Sequence, residues 1–222
     1  MLPDIKFCGM MREQDVDAAV ALGARYVGVI FAGGPRMLSV ERAGALLRRV
    51  PSGVGRVGVF GDAEPRTLGD IAREIGLDVM QLHADPTEEA VTRARDVFPG
   101  EVWAALRIRG GSLPASARQL FRVADAVVLD AYAPGSLGGT GLALPWPELT
   151  EAVAVLRGAG RLVLAGGLRP DTVSEAVRAL RPEVVDVSSG VESAPGVKDH
   201  AKLRAFRDAV RRDAVPGHGD TP

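Results

Sequence analysis

Cysteine and histidine are scarce in this chain of 222 residues, and neither sign of charge prevails. The one cysteine, Cys8, leaves nothing for it to pair with inside the chain, which excludes a disulfide-stapled secreted scaffold and points to a reducing cytosol. Three histidines, none in HxH or HExxH spacing, together with the lone cysteine speak against a structural zinc site. With 27 basic and 28 acidic side chains the net charge is -1, so the electrostatic footprint of a nucleic-acid coat or an anionic-membrane binder is missing. Any anion that the protein recognises must be met locally. No run of about 18 apolar residues exists, and the opening Met1-Leu2-Pro3-Asp4-Ile5-Lys6 is not a signal peptide, so neither export nor membrane insertion is expected. Lysine is rare as well: 24 of the 27 cations are arginine, which reads as a codon-composition habit with little functional content.

What is present is a regular alternation. Short β-branched runs recur at Ile5–Gly9, Tyr26–Phe31, Val57–Phe60, Val79–His83, Val102–Ile108, Ala126–Asp130, Leu162–Ala165 and Val184–Ser188, each followed by a stretch with helical spacing. Helices are predicted over Glu13–Leu22, over Val40–Arg49 behind an N-cap at Ser39, over Asp171–Leu180 behind Pro170, and over Lys198–Arg211. Runs such as Ala126-Val127-Val128-Leu129 are apolar on both faces, as parallel strands are when helices cover one side and a packed interior the other. Eight such units at a period of about 28 residues predict a single-domain (β/α)8 TIM barrel over residues 1–212, with 213–222 a disordered tail.

A barrel does its chemistry at the C-terminal ends of its strands. Polar residues at those positions are therefore candidates: Lys6 and Cys8 at the first, Arg36 in the second loop, Asp62 at the third, His83 at the fourth, Arg107 or Arg109 at the fifth and Asp130 at the sixth. Gly166-Gly167 follows the seventh strand, and Ser188-Ser189-Gly190 follows the eighth. Each of these last two tracts alone reads equally well as a turn. Together, in the loops where barrels commonly bind phosphate through backbone N–H groups, they point to a phosphate site. Cys8 is either a small buried hydrophobe or a thiolate favoured by its surroundings. Asp130 either caps a turn or carries chemistry, and the glycine-rich loop over 131–145 reads as a lid. Arg36 is either solvated or a bidentate grip on a carboxylate, and His83 either a base, a ligand-orienting group or a loop residue. No GxSxG elbow or GxxxxGK[ST] loop supports hydrolase or nucleotide chemistry.

Several segments together resemble one family. Lys6-Phe7-Cys8-Gly9-Met10, Arg36-Met37-Leu38-Ser39, Arg56-Val57-Gly58-Val59-Phe60, Gln81-Leu82-His83, Leu129-Asp130, Gly138-Gly139-Thr140-Gly141, Gly166-Gly167-Leu168, Asp186-Val187-Ser188-Ser189-Gly190-Val191-Glu192 and Pro195-Gly196-Val197-Lys198-Asp199 are similar to the phosphoribosylanthranilate isomerases of tryptophan biosynthesis. The resemblance implies an Amadori rearrangement with Asp130 as general acid and Cys8 as general base, their pKa values pushed toward neutrality from opposite sides. It implies that Arg36 holds the anthranilate, that Gly166, Gly167, Ser189 and Gly190 hold the sugar phosphate, and that His83 and Asp186 make further substrate contacts. It implies no metal and no redox cofactor and a small phosphosugar substrate; a cytoplasmic location is expected from the lone cysteine, and sequence does not decide between monomer and homodimer. Phe7, Met11, Ala84 and the segment 142–146 depart from the usual pattern without touching Cys8, Asp130 or Arg36. The main alternative is another phosphosugar isomerase or epimerase on the same barrel, including a dual-substrate enzyme that also serves histidine biosynthesis. That version normally uses two aspartates at the ends of strands one and six, and Cys8 at the first position argues against it. A catalytically silent binding barrel is the other alternative.

Overall fold

A computed structural model describes residues 2–132, 143–156 and 158–212. Eight parallel strands, β1 (Asp4–Phe7), β2 (Tyr26–Ile30), β3 (Gly55–Phe60), β4 (Val79–Leu82), β5 (Glu101–Ile108), β6 (Ala126–Ala131), β7 (Arg161–Leu164) and β8 (Val184–Val187), close into a ring in which β1 pairs with β8. Between and after them lie α1 (Glu13–Ala21), α2 (Val40–Leu47), α3 (Pro65–Ile75), α4 (Glu88–Val97), α5 (Ala117–Val123), α6 (Trp146–Leu156), α7 (Val173–Leu180) and α8 (His200–Arg212). The (β/α)8 barrel is thus the fold.

The sequence explains the two-sided strands. One face of each strand packs on the helices in a large apolar shell, while the other fills the ring with Tyr26, Val57, Val79, Trp103, Ala126, Val163 and Val184. Trp103 meets Tyr26 edge to face at 4.9 Å, a geometry worth about 0.5–1.5 kcal/mol beyond the area buried. Side chains alternate across a strand, so the residues two positions beyond this plug also face inward. Lys6 on β1, Gln81 on β4 and Asp186 on β8 take those places, and the register sets Lys6 beside Asp186. A polar layer therefore sits directly on an apolar floor.

Local signals account for several ends. Ser39 accepts the Arg42 N–H and caps α2 as expected, Thr87 does the same for α4 through Ala90, and Gly76 closes α3 in the left-handed conformation. Two expectations need correction. The last helix begins at His200, capped by Asp199, whose carboxylate accepts from Ala201 and Lys202; Lys198 belongs instead to β10 (Val197–Lys198), paired antiparallel with β9 (Glu192–Ala194) after a short 3-10 turn, η1 (Ser189–Val191). Helix α7 starts at Val173 rather than Asp171, because Arg169, Asp171 and Thr172 are engaged with one another in the preceding turn. Most of the expected lid, including Gly135, Gly138, Gly139 and Gly141, and the tail over 213–222 lie outside the described residues. Among the described residues no helix is long and apolar enough to cross a membrane.

Candidate active site

One end of the ring collects the candidates. Cys8 is the first residue beyond β1 and His83 the first beyond β4; Asp130 is the penultimate residue of β6 and Asp186 lies inside β8. Inward alternation joins four of these strands through a continuous polar chain. Asp186 Oδ2 accepts from Lys6 Nζ at 2.6 Å, and the same ammonium donates to Gln81 Oε1 at 2.7 Å. Gln81 Nε2 meets His83 Nδ1 at 3.1 Å, and His83 Nε2 lies 3.2 Å from Asp130 Oδ2. This last approach has the length of an ion pair but not the alignment of a hydrogen bond, so Nε2 has no bonded partner among the described residues. Asp130 Oδ1 accepts the backbone N–H of Ala131 at 2.8 Å, while Asp186 Oδ1 is buried without a partner among the described residues.

A second buried cluster stands on the other side of Cys8. Arg36 gives its Nε and Nη2 to the two oxygens of Glu192 at 2.9 and 2.7 Å. Lys198 Nζ shares Glu192 Oε1 at 2.8 Å and reaches the Ser188 carbonyl at 3.0 Å. The bidentate side of Arg36 is therefore taken by a residue of the protein, and only the far end of the guanidinium is left for a ligand. Sequence reasoning had the fork but not its internal partner, because Glu192 sits in a hairpin too short to show any period.

These charges act on each other in opposite ways. Burial lowers the Lys6 ammonium, yet the undivided Asp186 carboxylate, with Cys8 behind it, brings it above the ordinary lysine value. Burial also lowers Lys198, and here Glu192 does not recover the loss, since Arg36 draws on the same carboxylate and its positive charge repels the ammonium. Glu192 is opposed by burial but held below the usual carboxylate range by Arg36 and Lys198. Cys8 is pushed up by burial, more strongly than Lys6 and Lys198 pull it down. The expectation that its surroundings lower the thiol toward neutrality is thus corrected: withdrawal from water outweighs two nearby ammonium groups.

Across the mouth, Gly166 and Gly167 both adopt positive φ, 77° and 67°, which an L side chain rarely does. A Cβ on Gly166 would stand 2.7 Å from the Ala131 nitrogen, and one on Gly190 would collide with the Leu168 carbonyl. Among the described residues neither Gly166 nor Gly167 gives its N–H to another backbone group. Gly190, in η1, lies against the backbone of Leu168, the residue after this pair, so the loops that follow β7 and β8 are neighbours here.

A family model described as N-(5'phosphoribosyl)anthranilate (PRA) isomerase matches residues 5–209. The chain belongs to that family. A relative from Pseudomonas fluorescens, named N-(5'-phosphoribosyl)anthranilate isomerase, is 39% identical over 212 residues, covering 93% of this chain and 97% of its own. Among solved structures, the phosphoribosyl anthranilate isomerase of Thermus thermophilus superposes with a TM-score of 0.81 at 34% identity, covering 94% of this chain and 98% of the other. A phosphoribosyl anthranilate isomerase in complex with reduced 1-(o-carboxyphenylamino)-1-deoxyribulose 5-phosphate is 29% identical, with a TM-score of 0.78 over 95% of this chain and all of that one. As a PRA isomerase family member the chain brings Cys8, Arg36, His83, Asp130, Asp186 and the two glycine tracts to one barrel mouth. Gln81, Glu192 and Lys198 of this isomerase stand in its sequence motifs without a role that strand position alone would give them. The alternation of β4 could have shown Gln81, which lies two residues before His83 and so on the same face.

Proposed function

We propose that this protein isomerises N-(5-phosphoribosyl)anthranilate to 1-(2-carboxyphenylamino)-1-deoxyribulose 5-phosphate in tryptophan biosynthesis. The observation that carries this reading is one thiol and one carboxyl at the same mouth, each flanked by groups suited to its part of an acid–base rearrangement. Asp130 gives a proton to the furanose ring oxygen as the C1′–O bond breaks, leaving a protonated Schiff base. Cys8, as thiolate, takes the C2′ proton to form the enolamine. C1′ then gains a proton and the C2′ hydroxyl loses one, giving the ketone, and Asp130 is reprotonated. Lys6 and Lys198 stabilise the thiolate when it forms, and burial makes it a stronger base than a solvated one.

The N–H groups of Gly166–Gly167 and Ser189–Gly190, which bond to no other backbone group among the described residues, suit a phosphate. The outer end of Arg36 suits the anthranilate carboxylate, and the unpartnered Asp186 oxygen suits a sugar hydroxyl. His83 touches the acid. The same reading needs no metal or redox cofactor and fits a cytoplasmic enzyme.

Freshly made phosphoribosylanthranilate is fluorescent, and its signal should decay when the protein and the next pathway enzyme are added. Cys8→Ala or Asp130→Ala should slow this by about 10²-fold or more, while Arg36→Ala should chiefly raise KM. Full activity in either of the first two variants removes that residue from its role; no turnover by the unmodified protein sinks the reading.

A further inference from the structure

We infer that Gln81 is a positioning residue that fixes the tautomer of His83 and thereby directs the proton of Asp130 toward the substrate. The inference rests on the acid role given to Asp130 above. It begins at Lys6, whose ammonium has donors only. The atom of Gln81 that lies 2.7 Å from it must therefore be the carboxamide oxygen, and this settles an orientation that heavy-atom positions alone leave open. The –NH2 of Gln81 is then the group facing His83 Nδ1 at 3.1 Å, so Nδ1 must present a lone pair. A neutral imidazole with a lone pair on Nδ1 carries its proton on Nε2, the atom 3.2 Å from Asp130 Oδ2. Lys6, Gln81, His83 and Asp130 are each no more than 7% exposed, so water does not compete for these bonds as it would at the surface.

The tautomer matters because of what Asp130 would otherwise meet. With Nε2–H on one side and the Ala131 N–H on Oδ1, both carboxyl oxygens face donors. An acidic proton on Asp130 is then left a lone pair turned away from both, toward the mouth. The opposite tautomer would aim a bare imidazole nitrogen at the carboxyl. That nitrogen is a better acceptor than a sugar ring oxygen, and it would draw the proton sideways. Because the Nε2 approach to Asp130 is bent, Asp130 does not itself hold the ring, and the choice falls to Gln81.

The chain has three histidines, His83, His200 and His218, so long-range proton–nitrogen spectra of histidine-labelled protein resolve the question once a His83→Asn variant identifies the His83 signals. The expected result near neutral pH is Nδ1 in the unprotonated range and Nε2 in the protonated range. Gln81→Glu replaces the donor by an acceptor and should move the proton to Nδ1, with kcat falling about 10²-fold and KM changing less than about threefold. Gln81→Met, neutral and of similar shape, serves if the glutamate variant fails to fold: His83 should then populate both tautomers, with an intermediate loss of kcat. Nδ1 protonated in the unmodified protein, a tautomer indifferent to both substitutions, or a shifted tautomer with unchanged kcat would each overturn the inference. An Asp130→Asn protein that stays fully active while the tautomer remains fixed would instead remove the acid role, and with it the purpose assigned to Gln81.

Discussion

A thiol surrounded by cations is usually expected to be acidic, and Cys8 shows why charge alone does not decide. Lys6 and Lys198 favour the thiolate, but each is bound to a carboxylate, Asp186 or Glu192, so much of its field is spent before it reaches the sulfur. Burial then prevails. The alkylation rate of Cys8 should therefore rise with a midpoint above the ordinary cysteine value of about 8.5; with one cysteine in the chain the measurement needs no correction for others. A midpoint below that value would contradict the balance drawn here. At this scale the strand-end rule made Cys8, His83 and Asp130 legible in the sequence. It passed over Gln81, which sits one alternation deeper, and Glu192, whose partners come from the loop after β2 and from β10.

Elements were legible where they had enough length to show a period. The eight strands fall within about two residues of their expected bounds because two-sided apolar runs are hard to mistake once helices alternate with them. The β9–β10 hairpin escaped, since strands of three and two residues have no pattern to read. That hairpin leads into a contact that ties the ends of the fold together. Asp15, fully buried on α1, accepts from Arg12, from the His200 ring at the start of α8 and from the Lys198 N–H. Burial opposes its charge, but these donors hold the carboxyl below the ordinary aspartate value. A carboxyl depressed by folding contributes stability that is fully present above its unfolded pKa, about 3.9, and is lost as the pH falls through the folded value. Asp15→Ala should thus cost about 1–3 kcal/mol at pH 7, at the lower end because Arg12 and His200 are partly exposed. Urea midpoints should show that gap narrowing below about pH 4; a gap that is equal at pH 7 and pH 3 would exclude the mechanism.

Over the whole molecule, charge is nearly balanced and its two kinds of cation are unevenly placed. Many arginines pair across the surface, as Arg49 does with Asp17 and Arg73 with Asp70, with Arg36 an exception at the mouth, while the three lysines all lie around it. Lys6 holds Asp186, Lys198 holds Glu192, and Lys202 donates to the Glu192 carbonyl. At the two buried places the choice of cation should matter, because an ammonium is compact where a guanidinium is a broad plane. Lys6→Arg and Lys198→Arg should each cost about 1–3 kcal/mol by overpacking, whereas Arg73→Lys at its exposed pair should stay within about 0.5 kcal/mol. Thermal unfolding compares the three, and a silent Lys6→Arg would refute the idea of a size limit. The same sorting has a chemical consequence for the folded protein in solution. To an amine-selective reagent its described surface is almost blank, because Lys6 and Lys198 are buried and Lys202 is the single exposed side-chain amine left to label.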